Sequence, residues 1–300
     1  MPDLLFLSAS TDAVDAALMT KEHAVTNFAA KEGVPLSKVA GIGESVNDLP
    51  FLQIPGLGMR GAPLNAQPAV RTALAQLDRS VLLSVSFSDA FFEFYRLAEQ
   101  RGISYVFADK DGVLVWSDSE ASSQMTALSA VFRNMGTGKF PFVFVLTGSS
   151  YDQNLDFIGS YRALGAFEKN PQVKERPFVV LAENGAVQVN VLTGEIREDT
   201  FLIDRSLLNF IKGDFLKQIV IVMEAKVLSR FNLQWSLSAA DQIERIWIPP
   251  KRTMVTINIP KTFKDGRDYR SSPRGKELSS SILDSMIRVA EMLGIRYWLL

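Results

Sequence analysis

Short apolar runs alternate with stretches of helical spacing along most of the chain. Leu4–Ser8, Val39–Ile42, Leu57–Arg60, Ile103–Ala108, Phe142–Leu146 and Phe178–Ala182 read as strands. Lys21–Glu32, Ala66–Leu77, Ser86–Arg101 and Ser122–Met135 carry helical periodicity, and in the first of them Ala24, Val25, Phe28 and Ala29 share one side. Strands that are apolar throughout, separated by helices, predict an α/β fold with a Rossmann-like parallel sheet covered on both faces.

The pattern changes near residue 186. Ala186–Val191 precedes a hairpin turn at Thr193-Gly194-Glu195. Ser206–Lys217 then reads as helix, and Ile219–Met223, Phe231–Leu237, Ile243–Ile248 and Met254–Ile259 read as strands. This meander predicts a smaller α+β unit at 186–260. Ser279–Leu293 and Ile295–Leu300 follow as a final helix and strand. The expected division is therefore 1–80 and 81–185 as two core segments, 186–260 as the inserted unit, and 261–300 as a closing core helix and strand.

Composition narrows the chemistry. Of 300 residues, 47% are hydrophobic and 22% charged, as in soluble globular proteins. A net charge of −1 supplies no basic field for nucleic acid. With no cysteine, disulfides and thiolate metal sites are excluded, and the single His23, expected on the surface or in packing, excludes a multi-histidine metal site. Met1-Pro2-Asp3 lacks the basic start of a secretory signal, and no apolar run approaches the roughly 20 residues of a membrane span. A cytoplasmic protein without membrane or nucleic-acid partners is expected.

The candidate chemistry sits at strand ends, where open α/β sheets carry their sites. Asp109-Lys110-Asp111-Gly112 follows the apolar run Ile103–Ala108, and the glycine lets the chain bend so that both carboxylates face one pocket. One suits a nucleophile and the other proton transfer, although Asp-x-Asp-Gly also opens turns and calcium loops. Thr147-Gly148-Ser149-Ser150 offers a hydroxyl and backbone amides to an anion, or else caps a helix. Gly43-Glu44-Ser45-Val46-Asn47-Asp48 offers two acids and an amide, and carboxylates suit hard cations such as magnesium. Lys21, opening the helix before that strand, is placed to neutralise charge on a phosphoryl group.

Taken together these segments resemble the haloacid dehalogenase superfamily. Tyr105–Leu114 resembles its first motif, Phe144–Gly148 its second, Lys21–Val25 its third and Gly43–Leu52 its fourth. Leu181–Ala186 is similar to the cap entry of the type IIB sugar-phosphate phosphatases. The resemblance implies a core of this type with a cap at 186–260 that roofs the site and selects the substrate, where Arg245, Lys251 and Arg252 are candidates to meet it. It further implies Asp109 as nucleophile, Asp111 as general acid and base, Thr147, Gly148 and Lys21 as phosphate ligands, and Asn47 as a supporting residue. Magnesium would be held by Asp109, Glu44, Asp48 and the backbone carbonyl of Asp111. The implied activity is hydrolysis of a small phosphorylated metabolite, a sugar phosphate; a phosphomutase and a non-catalytic regulatory or binding protein are the alternatives.

Three departures accompany the resemblance. Glu44 stands where the family has aspartate, and Lys110 where it is usually apolar. The third and fourth motifs precede the first, whereas the family places them last. Ser272–Leu278 with the final helix and strand looks like a second copy of the third-motif region. Either residues 1–80 close the sheet of one permuted domain, or they end a preceding domain of a tandem protein. A swapped homodimer, with Lys21 and Asp48 of one chain facing Asp109 of another, is a further arrangement consistent with this order.

Overall fold

The computed structural model describes residues 4–10, 12–115, 141–149, 154, 179–190, 195–198, 205–238 and 240–300. In chain order the strands are β1 Leu4–Ala9, β2 Ala13–Ala17, β3 Val39–Ile42, β4 Met59–Ala62, β5 Ser80–Leu82, β6 Tyr105–Asp109 and β7 Phe142–Leu146. β8 Val179–Ala182, β9 Val187–Asn190, β10 Ile196–Glu198, β11 Gln234–Trp235, β12 Arg245–Ile246, β13 Met254–Asn258 and β14 Arg296–Leu299 follow. The helices are α1 Lys21–Lys31, α2 Leu49–Leu52, α3 Pro68–Ala75, α4 Phe87–Gln100, a long α5 from Arg205 to Phe231, and α6 Pro273–Met292.

The chain divides into two units, Thr20–Asp199 and Met1–Met19 with Thr200–Leu300. The first is built on an eight-stranded sheet of order β10-β9-β8-β7-β6-β3-β4-β5. Its strands from β8 to β5 run parallel, while β9 and β10 are antiparallel additions at one edge. Alternation along β6 explains how both faces become buried. Val106 and Ala108 join Phe91, Phe94 and Ala98 of α4 on one side, and Phe107 joins Ala24 and Val25 of α1 on the other. Phe107 stacks on Phe144 at 4.9 Å between ring centroids, and Phe28 of α1 meets Phe107 edge-on. A fully buried aromatic such as Phe107 or Phe94 contributes about 2–3 kcal/mol from water exclusion, so Phe94→Ala would destabilise this unit by about 3–5 kcal/mol.

In the second unit the sheet order is β13-β2-β1-β14, with β1 parallel to β14 in the register Leu4↔Arg296. Leu5, Leu7, Val14, Ala16, Val255 and Ile257 pack against Leu278, Ile282, Met286 and Val289 of α6. α5 completes this core with Ile211, Phe215, Ile219, Met223, Val227 and Phe231, a strict four-residue step. In a regular α-helix that step drifts by roughly 40°, or about 200° over the stripe. Two π-helical stretches, Ile211–Phe215 and Met223–Leu228, hold more residues per turn and bring the stripe back to one face.

The expected α/β class with a parallel sheet is met, and the division of the chain differs from the expected one. Residues 1–19 and 261–300 do not belong with the eight-stranded sheet, because β14 pairs with β1 and α6 buries its apolar face on that same small sheet. Val187–Asn190 and Ile196–Glu198 remain in the large sheet, so the boundary falls at 199/200 rather than 186. Ile219–Met223, expected as a strand, is helical, since its apolar residues continue the α5 stripe. The strands expected at Phe231–Leu237 and Ile243–Ile248 contract to the two-residue pair β11 and β12. The helix expected at Ser122–Met135 and the turn residues Thr193 and Gly194 lie outside the described residues. No helix among the described residues is long and apolar enough to cross a membrane.

Candidate functional site

The parallel register brings three loops to one end of the large sheet. Ala108 pairs with Ile42 and Asp109 with Leu146, so Gly43, Asp109 and Thr147 all emerge together at the carboxyl ends of β3, β6 and β7. Asp109 follows Phe107 by two positions and therefore projects to the α1 side. There Lys21, the first residue of α1, donates from Nζ to Asp109 Oδ1 and to Asp48 Oδ1, both at 2.6 Å. The start of α1 is capped by Thr20, whose Oγ1 accepts from the His23 amide at 3.3 Å and lies 2.7 Å from His23 Nδ1. His23 thus belongs to the helix cap.

Asp48 is fully buried and closes a capping box with Ser45. Its Oδ2 accepts from the amides of Glu44 at 2.9 Å and Ser45 at 3.0 Å and from the Ser45 hydroxyl at 3.2 Å. The loop wraps so closely that a Cβ on Gly43 would lie 2.5 Å from Asp48 Cβ. Glu44 extends toward the Asp111 turn, where Gly112 has φ +79° and a Cβ there would sit 2.5 Å from Glu44 Cγ. Among the described residues, the buried Glu44 Oε2 has no hydrogen-bond partner.

One carboxylate oxygen from each of Glu44, Asp48 and Asp109 lies within 4.8 Å of the others. Three acids around a single ammonium resist ionising together. Burial, then the carboxylates of Asp48 and Asp109, push Glu44 up to about 9. Burial, then Asp48, push Asp109 up to about 7 against the opposing pull of Lys21. For Lys21 itself burial works downward, but the two carboxylates outweigh it and hold the ammonium above the usual lysine range. An orphaned buried oxygen beside crowded carboxylates suits a hard divalent cation, since oxygen ligands and excess negative charge are what such an ion requires. Asp48 already accepts hydrogen bonds at both oxygens, which leaves Glu44 and Asp109 with the freer donor atoms.

Asp111 begins a turn in which Gly112 donates to Val115 O at 2.8 Å; its side chain is 48% exposed and pairs with Lys110 Nζ at 3.3 Å. Thr147 is buried; its amide donates to Leu181 O at 3.0 Å and its Oγ1 accepts from the Ser149 amide at 3.1 Å. Gly148 is half-buried beside it, and Asn47 is exposed on the turn Val46–Asp48. Lys21, Glu44, Asp48 and Asp109 therefore converge, with Asp111, Thr147 and Gly148 at the same sheet end. All seven come from the continuous unit Thr20–Asp199.

Other residues brace this arrangement without having shown themselves in the sequence. Asn65 donates from Nδ2 to Gly112 O at 2.8 Å and accepts from the Phe87 amide at 3.1 Å. The Gln67 amide donates to Glu44 O at 2.8 Å, and its Oε1 accepts from the Val46 amide at 3.3 Å. After β8, Glu183, Asn184 and Gly185 have φ of 52°, 60° and 97°. This left-handed turn lets the Asn184 amide reach Thr147 O at 2.9 Å, and it brings Gly185 so near α1 that a Cβ would lie 2.4 Å from Ala24 Cβ. These contacts use backbone atoms or missing side chains, which leave little signal in a single sequence.

No family model matches the chain, and no curated protein matches it.

Proposed function

We propose that this chain is a magnesium-dependent phosphomonoester hydrolase of the haloacid dehalogenase type with permuted motif order, acting on a small phosphorylated metabolite such as a sugar phosphate. The observation that carries this reading is Lys21 Nζ at 2.6 Å from both Asp48 and Asp109, with Glu44 beside them. Residues that precede Asp109 by 61 to 88 positions thereby supply the partners its chemistry requires. The pairing of β14 with β1 supports a permuted order, and the unit Met1–Met19 with Thr200–Leu300 would correspond to the family's cap.

In this reading an Asp109 carboxylate oxygen attacks phosphorus, forming an O–P bond while the ester P–O bond breaks. Asp111 gives its proton to the leaving alkoxide. Asp111 then takes a proton from water as the water oxygen attacks phosphorus and the bond to Asp109 breaks. The net change is ester plus water to alcohol plus phosphate. Lys21 orients Asp109 and offsets charge on the phosphoryl oxygens, while Thr147 and the Gly148 amide bind them. Glu44 and Asp109, with Asp48 and the Asp111 carbonyl, would hold magnesium, which when bound supplies positive charge to the phosphoryl group.

The test is phosphate release from a sugar-phosphate panel with and without magnesium. Release that requires magnesium and is abolished by Asp109→Asn is expected. Release that survives this substitution removes Asp109 as nucleophile, and isomer formation without phosphate release identifies a phosphomutase instead.

A further inference from the structure

Lys110 lies between the two acids of the proposed mechanism and takes no part in it. Its side chain is only 9% exposed, and it follows directly on Asp109, the last residue of β6. A buried lysine stem normally delivers its ammonium to water. Here the ammonium lies instead 3.3 Å from Asp111 Oδ2, while the Asp111 side chain is 48% exposed. Asp111 follows the end of the strand and precedes Gly112 at φ +79°, so the strand does not restrain its carboxylate.

We propose that Lys110 is a positioning residue for Asp111: its ammonium holds Asp111 Oδ2 and so orients the carboxyl group, whose other oxygen carries the proton to the leaving group. The inference rests on the hydrolase reading. A well-placed general acid contributes about 10²–10⁴-fold, and only where the leaving group needs a proton. Methionine matches the length of the lysine stem without its charge. Lys110→Met is therefore expected to lower kcat/KM for an alkyl phosphate by about tenfold or more relative to p-nitrophenyl phosphate, whose leaving group departs unprotonated. kcat/KM reports the first transfer alone, so the later water step does not enter.

Lys110→Arg is expected to restore the ratio, and Lys110→Met in an Asp111→Asn background to leave it unchanged. Equal loss on both substrates, no loss on either, or a further change of the ratio in the Asp111→Asn background would overturn the proposal. If Lys110→Met does not fold, Lys110→Gln carries the same comparisons. A crystal structure of the variant gives a readout independent of turnover: Asp111 displaced from its present rotamer supports the role, and Asp111 unmoved overturns it. A wild-type protein that cleaves no phosphoester refutes the hydrolase reading, and the crystallographic comparison still decides whether Lys110 holds Asp111.

Discussion

Replacing Lys21 by methionine removes one ammonium and leaves two carboxylates that each accepted from it at 2.6 Å. A hydrogen bond to a charged group contributes about 1.5–3 kcal/mol, and breaking a buried ion pair by removing one partner costs about 3–5 kcal/mol. The loss depends on pH with a definite sign. Burial and Asp48 raise Asp109 to about 7 even with Lys21 in place, so well below pH 7 Asp109 is neutral and Lys21 has only a neutral partner there. The full penalty of about 3–5 kcal/mol is expected at pH 8 and a penalty smaller by about 2 kcal/mol at pH 5. Urea unfolding with chelator present measures both. At about 2 kcal/mol per molar urea, the midpoint should fall by about 2 M at pH 8 and by about half that at pH 5. An equal shift at both values, or a loss under about 1 kcal/mol at pH 8, would refute the buried three-residue pairing.

Three further outcomes follow from the same geometry. Because Glu44 is pushed up to about 9 and Asp109 to about 7, a divalent cation must displace protons there; magnesium affinity by calorimetry should rise from pH 6 to 9 with net proton release, and a pH-independent affinity contradicts this site. Gly112→Ala combines a left-handed backbone with a Cβ 2.5 Å from Glu44 Cγ; a loss of about 2–4 kcal/mol is expected, falling to about 1–2 kcal/mol in a Glu44→Ala background, and an undiminished loss would show that Glu44 does not fill that space. Mixing Asp109→Asn with Asp48→Asn protein should restore no activity, since one chain supplies both residues; recovered turnover would establish exchange between chains.

Much of the large sheet was legible because β3 is buried on both faces and β6 up to Ala108 and β7 are apolar runs. The converging residues were legible from motif spacing, although nothing local to Lys21 or Glu44 says which strand end they meet. β2 was missed because Ala13–Ala17 is mostly alanine, whose small side chain hardly marks a pattern. The helical Ile219–Met223 reads as a strand because it is an unbroken, mostly β-branched apolar run, and no local rule announces the helix with π-helical corrections that contains it. Asn65 and Gln67 act on backbone atoms of distant loops, so their residue types carry no warning. Lys110 was visible as a departure from the motif that Tyr105–Leu114 resembles, but its contact with Asp111 depends on a turn geometry that the fold alone supplies.

The pairing of β1 with β14 also sets an order of assembly. As the chain is synthesised, β1 and β2 are made before their neighbours β13 and β14 and at that stage pair with each other as a hairpin, which alone is marginal in water. β13 and β14 arrive only after the whole stretch from Thr20 to Asp199. The stretch from Thr20 to Asp199, a compact unit in itself, is complete well before then. The carboxylate cluster would thus be assembled on the ribosome while Leu5, Leu7 and Val14 still await their cover, which makes β1 and β2 the natural point for chaperone capture or misassociation.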